Sequence, residues 1–287
     1  MAASAAAHKA ASSWASRLHP DLIPQIGWRV LAGGDLLDYV RFRAVCALWR
    51  STTISPRGRG LVDPRFHPRS WLLLPEGHDI CPGHSSLLGY VRFFNLSTGF
   101  FVRASLPIFQ NHYILDIVDG LILLLEEQDS TVRLLNPFTG DTADLPPLAA
   151  PTNLSLGSRY LMCFREISAT TVTVSPDGLI TVMILLPSEH HVAFATSGGS
   201  DREWSYSTWI LSSIQSSVSF QSRIYILSTE YNNDPQIFEI DPPWPEEVGS
   251  AGTQTDGMPG SCKICIEAIK DNSIIHNCTI CDKYMLL

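Results

Sequence analysis

The chain has 287 residues, 45% of them hydrophobic, so it can bury a substantial core as one large domain or two ordinary ones. Its 20 Lys and Arg residues against 28 Asp and Glu residues give a formal charge of −8, which argues against general nucleic-acid binding. No apolar run reaches the roughly 18 residues that a membrane-spanning helix needs, so we expect no membrane insertion.

The N-terminal 17 residues are rich in Ala and Ser and contain no acidic residue. An organelle transit peptide has this composition, but the segment is short and carries only one Arg. We therefore predict a disordered leader over residues 1–17. The chain has seven cysteines, an odd number that fits a reducing compartment, so we expect the protein in the cytoplasm or the nucleus.

Residues 18–51 are predicted to form three short helices. Apolar residues recur every four positions over residues 18–30, a helical period, and a pair of glycines ends this first helix. Asp35 can cap a second helix over residues 36–40, and a third over residues 41–51 carries Phe, Val and Trp on one face. A unit this small buries little surface by itself, so we expect part of its apolar surface to bind a partner.

A nine-residue pattern then occurs twice. Residues 91–99 read VRFFNLSTG, and residues 132–140 read VRLLNPFTG. Each copy alternates in character, ends at a Thr-Gly turn signal and is followed by a second short strand. Asp119-Gly120 precedes the run LILLL, which predicts a further strand and hairpin before the second copy.

Weaker copies follow, so that comparable strands begin near Val91, Val132, Val192 and Gln236. A period near 40 to 50 residues with several strands in each unit is typical of propeller blades. The alternative is a β-sandwich in which two hairpins are similar by chance. We therefore predict an α+β multidomain chain, with a small three-helix segment followed by an all-β, propeller-like and incomplete domain of about four blades.

The helical segment resembles an F-box. Residues 18–51 open with Leu-x-Pro-Asp-Leu, contain a central Asp-Leu and close with R-x-V-C-x-x-W-R. Residues 60–260 resemble the KIB-type β-propeller half of a large plant F-box family, long described as a domain of unknown function. The resemblance rests on the motifs VDPRFHPRSWLLLPEG, RFFNLSTG and RLLNPFTG. It implies a plant protein with an F-box domain at residues 18–55 and a propeller at residues 60–260.

The resemblance also implies the substrate-receptor subunit of an SCF-type E3 ubiquitin ligase. In that family the F-box binds a Skp-type adaptor, which binds cullin, and the propeller binds a target protein, unknown here. The implied chain has no active site, no cofactor, and neither nucleic acid nor membrane as a partner. The positions that match apolar F-box positions, as helix core or adaptor contacts, are Leu18, Pro20, Leu22, Ile26, Leu36, Leu37, Val45 and Trp49. His19 lengthens the usual Leu-Pro opening, which predicts weak adaptor binding.

Other functions stay open at this stage. The three helices could be a structural cap on a propeller that is an enzyme or a carbohydrate binder, or the chain could be a truncated product without function. The sequence contains no GxSxG, P-loop, GxGxxG or HExxH motif, so we expect a binding protein rather than an enzyme.

A cysteine pattern closes the chain. Cys262, Cys265, Cys278 and Cys281 form C-x2-C-x12-C-x2-C, a spacing that suits one structural, tetrahedral zinc ion. A RING finger would need eight ligands, so the pattern does not predict one. Residues 261–287 are interpreted as a divergent tail in which the four cysteines either bind zinc or occur together by chance.

Overall fold

The structure is a computed structural model. It describes residues 18–33, 35–74, 88–126, 128–148, 167–186, 191–198, 203–207, 214–229, 235–242 and 285–286. The described residues divide into two compact units. The helical unit contains the residues up to Arg69 together with Leu135–Thr142, and the sheet unit contains the rest. Among the described residues, no helix is long and apolar enough to cross a lipid bilayer.

Within its described residues, the helical unit has three α-helices, α1 (Leu22–Gly33), α2 (Leu36–Arg43) and α3 (Ala47–Thr52), followed by a 3-10 turn at Pro64–Phe66. Asp35 caps α2 as the sequence predicts, because its carboxylate accepts a hydrogen bond from the backbone N–H of Asp38 at 3.0 Å.

The predicted boundary between the second and third helices is wrong. Helix α2 continues to Arg43 instead of ending at residue 40, and α3 begins only at Ala47 because Cys46 is extended (φ −160°, ψ 170°). The Arg43 side chain donates to Thr53 Oγ1 at 3.1 Å and to the Arg50 carbonyl at 3.2 Å. These bonds join the end of α2 to the end of α3 and so favour a tight turn over one continuous helix.

The sheet unit consists of short strands. In chain order they are β1 (Trp71–Leu74), β2 (Tyr90–Asn95), β3 (Phe101–Ser105), β4 (His112–Val118), β5 (Leu121–Glu126), β6 (Thr131–Leu135), β7 (Thr142–Pro147), β8 (Ala169–Val174), β9 (Ile180–Leu186), β10 (His191–Thr196), β11 (Ser205–Tyr206), β12 (Ile214–Phe220), β13 (Arg223–Thr229), β14 (Pro235–Ile240) and β15 (Met285–Leu286). In the part of the chain that the structure describes, these strands form four antiparallel sheets with the orders β15-β1-β2-β3, β4-β5-β6-β7, β8-β9-β10-β11 and β12-β13-β14.

The repeat predicted from the sequence is confirmed. The four strands expected near residues 91, 132, 192 and 236 are β2, β6, β10 and β14, and each begins one residue earlier than predicted. Each is the third strand of its own sheet, so the repeat corresponds to one sheet per unit. This arrangement confirms the propeller-like fold and the number of about four blades.

The first strands of successive sheets lie side by side, since β8 packs against both β4 and β12. Sheets packed in this way cover each other's apolar faces, as blades do around an axis. Between the third and fourth sheets the shared core includes Met183, Leu185, Val192, Ile224 and Ile226, all buried.

The hairpin turn that the sequence predicts at Asp119-Gly120 is present in the second sheet. Both residues have positive φ (50° and 81°) between β4 and β5, as a tight two-residue hairpin requires.

A buried histidine lies at the start of β4. Arg133 Nη1 is 3.2 Å from Nε2 of His112, so this nitrogen accepts the bond, and Nδ1 carries the proton facing Asn111 Oδ1 at 2.9 Å. Burial lowers the pKa of His112, and the positive charge of Arg133 lowers it further, whereas Glu126 acts in the opposite direction. The lowered pKa favours the neutral imidazole in the folded protein at pH 7.

We predict a pH dependence of stability from this histidine. The folded-state pKa of His112 lies below the ordinary value of about 6.5. The contribution of this residue to the free energy of unfolding is therefore fully present above about pH 6.5 and is lost as the pH falls toward the folded-state pKa. Between pH 7.5 and 5.5, the urea-unfolding free energy of the wild type should fall by up to about 1.4 kcal/mol more than that of His112→Gln. Equal losses in the two proteins would contradict this assignment.

Candidate functional site

Two apolar clusters hold the helical unit together. In the first, Ile23 of α1 and Trp49 of α3 are buried, and the Phe42 ring lies 4.4 Å from the Trp49 ring between centroids. The half-buried side chains that pack around this pair are Leu18, Phe42, Cys46 and Leu48. The second cluster contains Leu31, Leu36, Tyr39 and Phe66, with Trp28 and Phe138 packed against it.

Aromatic rings dominate the second cluster. Trp28 stacks on Tyr39 with centroids 6.0 Å apart, and Phe66 lies 5.8 Å from Tyr39. The Arg65 guanidinium lies 4.2 Å above the Trp28 ring, a cation–π contact. Tyr39 donates its hydroxyl proton to the Ile54 carbonyl at 2.9 Å, and burial raises the pKa of this phenol. The segment after α3 is thereby fixed to α2.

Gly27 allows α1 to approach α2 closely. A Cβ atom at this position would lie 3.2 Å from Phe42 and 3.3 Å from Tyr39, closer than most carbon atoms pack. The close approach is what lets both clusters form across such short helices.

A turn from the second repeat completes the helical unit. Asn136, which is fully buried, donates from Nδ2 to the carbonyls of Gly60 (2.9 Å) and Phe66 (3.0 Å). Its Oδ1 accepts from the backbone N–H groups of Phe138 and Thr139 at 3.0 and 3.1 Å. One amide side chain thus shapes its own turn and holds the loop at residues 58–66.

The same turn carries a carboxylate. Asp141 accepts from the backbone N–H of Gly58 at 2.8 Å and from that of Gly60 at 2.7 Å. Gly60 has no room for a side chain, because a Cβ atom would lie 2.2 Å from Thr139 Oγ1. Residues 135–142 are therefore structural parts of the helical unit, although β6 and β7 flank them in the chain.

The structure separates the eight F-box positions by burial. Leu36 (2% exposed) and Trp49 (7%) are core residues, whereas Leu22 (48%) and Val45 (46%) are exposed. Pro20 is also exposed, and Leu18, Ile26 and Leu37 are half-buried. Leu22 precedes the buried Ile23 in the chain, and Val45 precedes Cys46 of the same cluster. Each exposed side chain is thus next in sequence to a residue of the cluster that contains Ile23 and Trp49.

Several residues of this unit were not predicted from the sequence. Val40 (42% exposed), Ile54 (37%) and Val62 (39%) add further exposed apolar side chains. Asn136 and Asp141 were not predicted either, although both lie in or next to the repeated nonamer. In the second copy Asp141 follows the Thr-Gly pair, whereas in the first copy Phe100 stands at that position. This difference is the sequence signal that separates the second turn from the first.

The predicted zinc ligands lie outside the described residues. Within the described part of the chain, no group of three or more His, Cys, Asp or Glu side chains could hold a metal ion. The cysteine that is described there, Cys46, has a free thiol. The zinc site at residues 262–281 stays a prediction.

The comparison with known proteins agrees with the sheet architecture. A family model described as KIB1-4 beta-propeller matches residues 93–276, which begin within β2 and extend past β14. A search of curated proteins finds no match to the chain. The family model covers more than half of the chain, and its fold is the one that the four packed sheets form. The chain belongs to the KIB1-4 beta-propeller family.

Proposed function

We propose that this chain is the substrate-receptor subunit of an SCF-type E3 ubiquitin ligase. The helical unit binds a Skp-type adaptor that connects to cullin, and the propeller binds the target protein. In this proposal the chain catalyses nothing itself and carries no cofactor, because ubiquitin transfer belongs to other subunits of the complex.

The observation that carries the proposal is the exposure of Leu22 and Val45. Both occupy positions that match the F-box pattern, yet the core of the helical unit is filled by other residues. Apolar side chains that are left outside the core are available to bind a partner. The F-box resemblance of residues 18–51 names the partner that such a surface would bind.

Charge supports a protein partner for the helical unit. Residues 18–69 contain eight arginines against four aspartates and no Lys or Glu, a formal +4 in a chain of −8. Arg41 and Arg50 are exposed on α2 and α3. Complementary charge speeds and orients association, so we expect an acidic surface on the adaptor and weaker binding at high salt.

The test is an adaptor pull-down with paired leucine variants. Leu22→Ala removes an exposed side chain, so it should leave folding intact and reduce the recovered adaptor by about tenfold. Leu96→Ala is the matched control, because Leu96 is 49% exposed and lies in the turn between β2 and β3. It should recover as much adaptor as the wild type.

Equal recovery in all three proteins would contradict docking through Leu22. The complete absence of adaptor from wild-type pull-downs would contradict the proposal as a whole. In that case a structural role for the helices would be favoured, and the propeller would be assayed for a ligand of its own.

A further inference from the structure

The hairpin of β2 and β3 has one face with an unusual composition. Residues two apart in a strand point to the same side, so Tyr90, Arg92 and Phe94 share a face on β2. Opposite them on β3 lie Ser105, Arg103 and Phe101, in that order. We call these six side chains the hairpin face. The alternate β2 residues Val91, Phe93 and Asn95 point inward and are buried.

The hairpin face combines aromatic rings with guanidinium groups. Arg103 lies 4.4 Å above the Tyr90 ring, and Arg92 lies 5.7 Å from the Phe101 ring. Tyr90 and Phe101 are exposed by 39% and 61%. The two arginines are direct cross-strand partners, and like charges in that position destabilise a sheet. Cation–π contacts recover part of this cost, but an exposed aromatic on an edge strand is a liability that stability alone does not explain.

One of the two strands that carry the hairpin face lies at the edge of its sheet. β3 is the last strand in the order β15-β1-β2-β3, and among the described residues it pairs with β2 only. An edge strand offers backbone N–H and C=O groups to which an extended peptide can add as a further strand. At the tip of the hairpin, Leu96 (49%) and Phe100 (66%) add exposed apolar surface.

The turn of the second repeat, which corresponds to the tip of this hairpin, binds another segment of the chain. Asn95 and Asn136 shape their turns alike, since each accepts from the backbone N–H groups two and three residues later. In the second repeat the turn binds the loop at residues 58–66 through Asn136 and Asp141. In the first repeat Phe100 stands at the position of Asp141, so the corresponding tip offers an apolar contact.

We infer that the hairpin face, with β3, is the docking site for an extended acidic segment of the target protein. Arg103 is exposed on this face beside the exposed rings of Tyr90 and Phe101. An exposed guanidinium group binds carboxylates through charge-assisted hydrogen bonds, so it favours a partner segment that carries Asp or Glu. The exposed rings bind its apolar side chains. This inference specifies the target half of the proposed function.

The experiment measures peptide binding to the full chain without adaptor, so its outcome does not depend on adaptor docking. The probe is a fluorescent peptide of about twelve residues that alternates Glu and Val, with a Lys-Val peptide of equal length as control. The acidic peptide should bind and the basic peptide should not. Arg103→Glu should weaken the binding about tenfold, and so should a rise in salt from about 50 to 500 mM.

Two exposed phenylalanines provide a matched pair of variants. Phe101→Ala should weaken binding several-fold, whereas Phe220→Ala, at a residue 59% exposed on β12, should leave it unchanged. N-methylation of alternate peptide bonds in the probe should abolish binding if it adds to β3 as a strand, because it removes the N–H donors. Circular dichroism of each variant confirms that it is folded.

Three results would overturn the inference. They are no binding of the acidic peptide at millimolar concentration, equal affinity in Arg103→Glu and the wild type, and equal affinity for the two peptides. A single-stranded oligothymidylate that bound more tightly than the acidic peptide, and lost affinity in Arg103→Glu, would assign the face to nucleic acid instead.

Discussion

The Asn136→Ala variant should lose about 3 kcal/mol of stability in the helical unit. The substitution removes an amide that is fully buried and leaves the Gly60 and Phe66 carbonyls and two backbone N–H groups without their bonds. Each unsatisfied buried group costs about 1 to 3 kcal/mol, and local relaxation recovers part of the sum. Hydrogen exchange of the amides in α1–α3 should accelerate about a hundredfold.

Gln110→Ala is the control for that experiment. Gln110 is exposed and donates from its side chain to the Leu88 carbonyl at 3.3 Å, so its removal should change stability by no more than about 0.5 kcal/mol. Asp141→Asn should fall between the two, because the carboxylate that binds Gly58 and Gly60 loses its charge and one acceptor. Wild-type exchange rates in Asn136→Ala would show that the turn at residues 135–142 contributes nothing to the helical unit.

The Trp49→Ala variant should lose about 3 to 5 kcal/mol in the same unit. Trp49 is 7% exposed, and its ring packs against Ile23 and lies 4.4 Å from the Phe42 ring. Its truncation leaves a cavity at the centre of the first cluster, which α1 and α3 cannot close without losing their packing. Exchange protection of α1 and α3 should collapse, and adaptor recovery should fall with it.

Two further variants separate folding from binding in that result. Trp49→Phe keeps an aromatic ring in the cluster and should restore much of the protection. Leu22→Ala should keep wild-type protection although it recovers less adaptor, because this side chain is exposed. Normal protection in Trp49→Ala would mean that the Ile23 cluster is not the core of the helical unit.

The sequence predicts the sheet unit well because its signals are local and repeated. Alternating residues and Thr-Gly turns need only nearest neighbours, and the third strand of every sheet follows from them. Asp35 is a local signal of the same kind, and its predicted cap is present. The F-box pattern likewise indicates Leu36 and Trp49 as apolar positions, and both are buried.

The remaining features depend on contacts between distant residues. Asn95 and Asn136 have the same local turn, yet only the fold reveals that Asn136 reaches Gly60, 76 positions away. The end of α2 is fixed by Arg43 and its bonds to Thr53 and Arg50 rather than by a glycine or proline. Periodicity also cannot separate Leu22 from Trp49, because both are apolar and only packing decides which one faces solvent.

The pairing of β15 with β1 has a consequence for synthesis on the ribosome. Leu72 lies beside Leu286, so the first sheet joins segments more than 200 residues apart. At a translation speed of about 5 to 20 residues per second, β15 is synthesised about ten seconds or more after β1. During this time the edge of β1 that pairs with β15 is unpaired, so we expect nascent chains to bind a chaperone there. Ribosome profiling of chaperone-bound chains would show at which chain lengths the chaperone is bound.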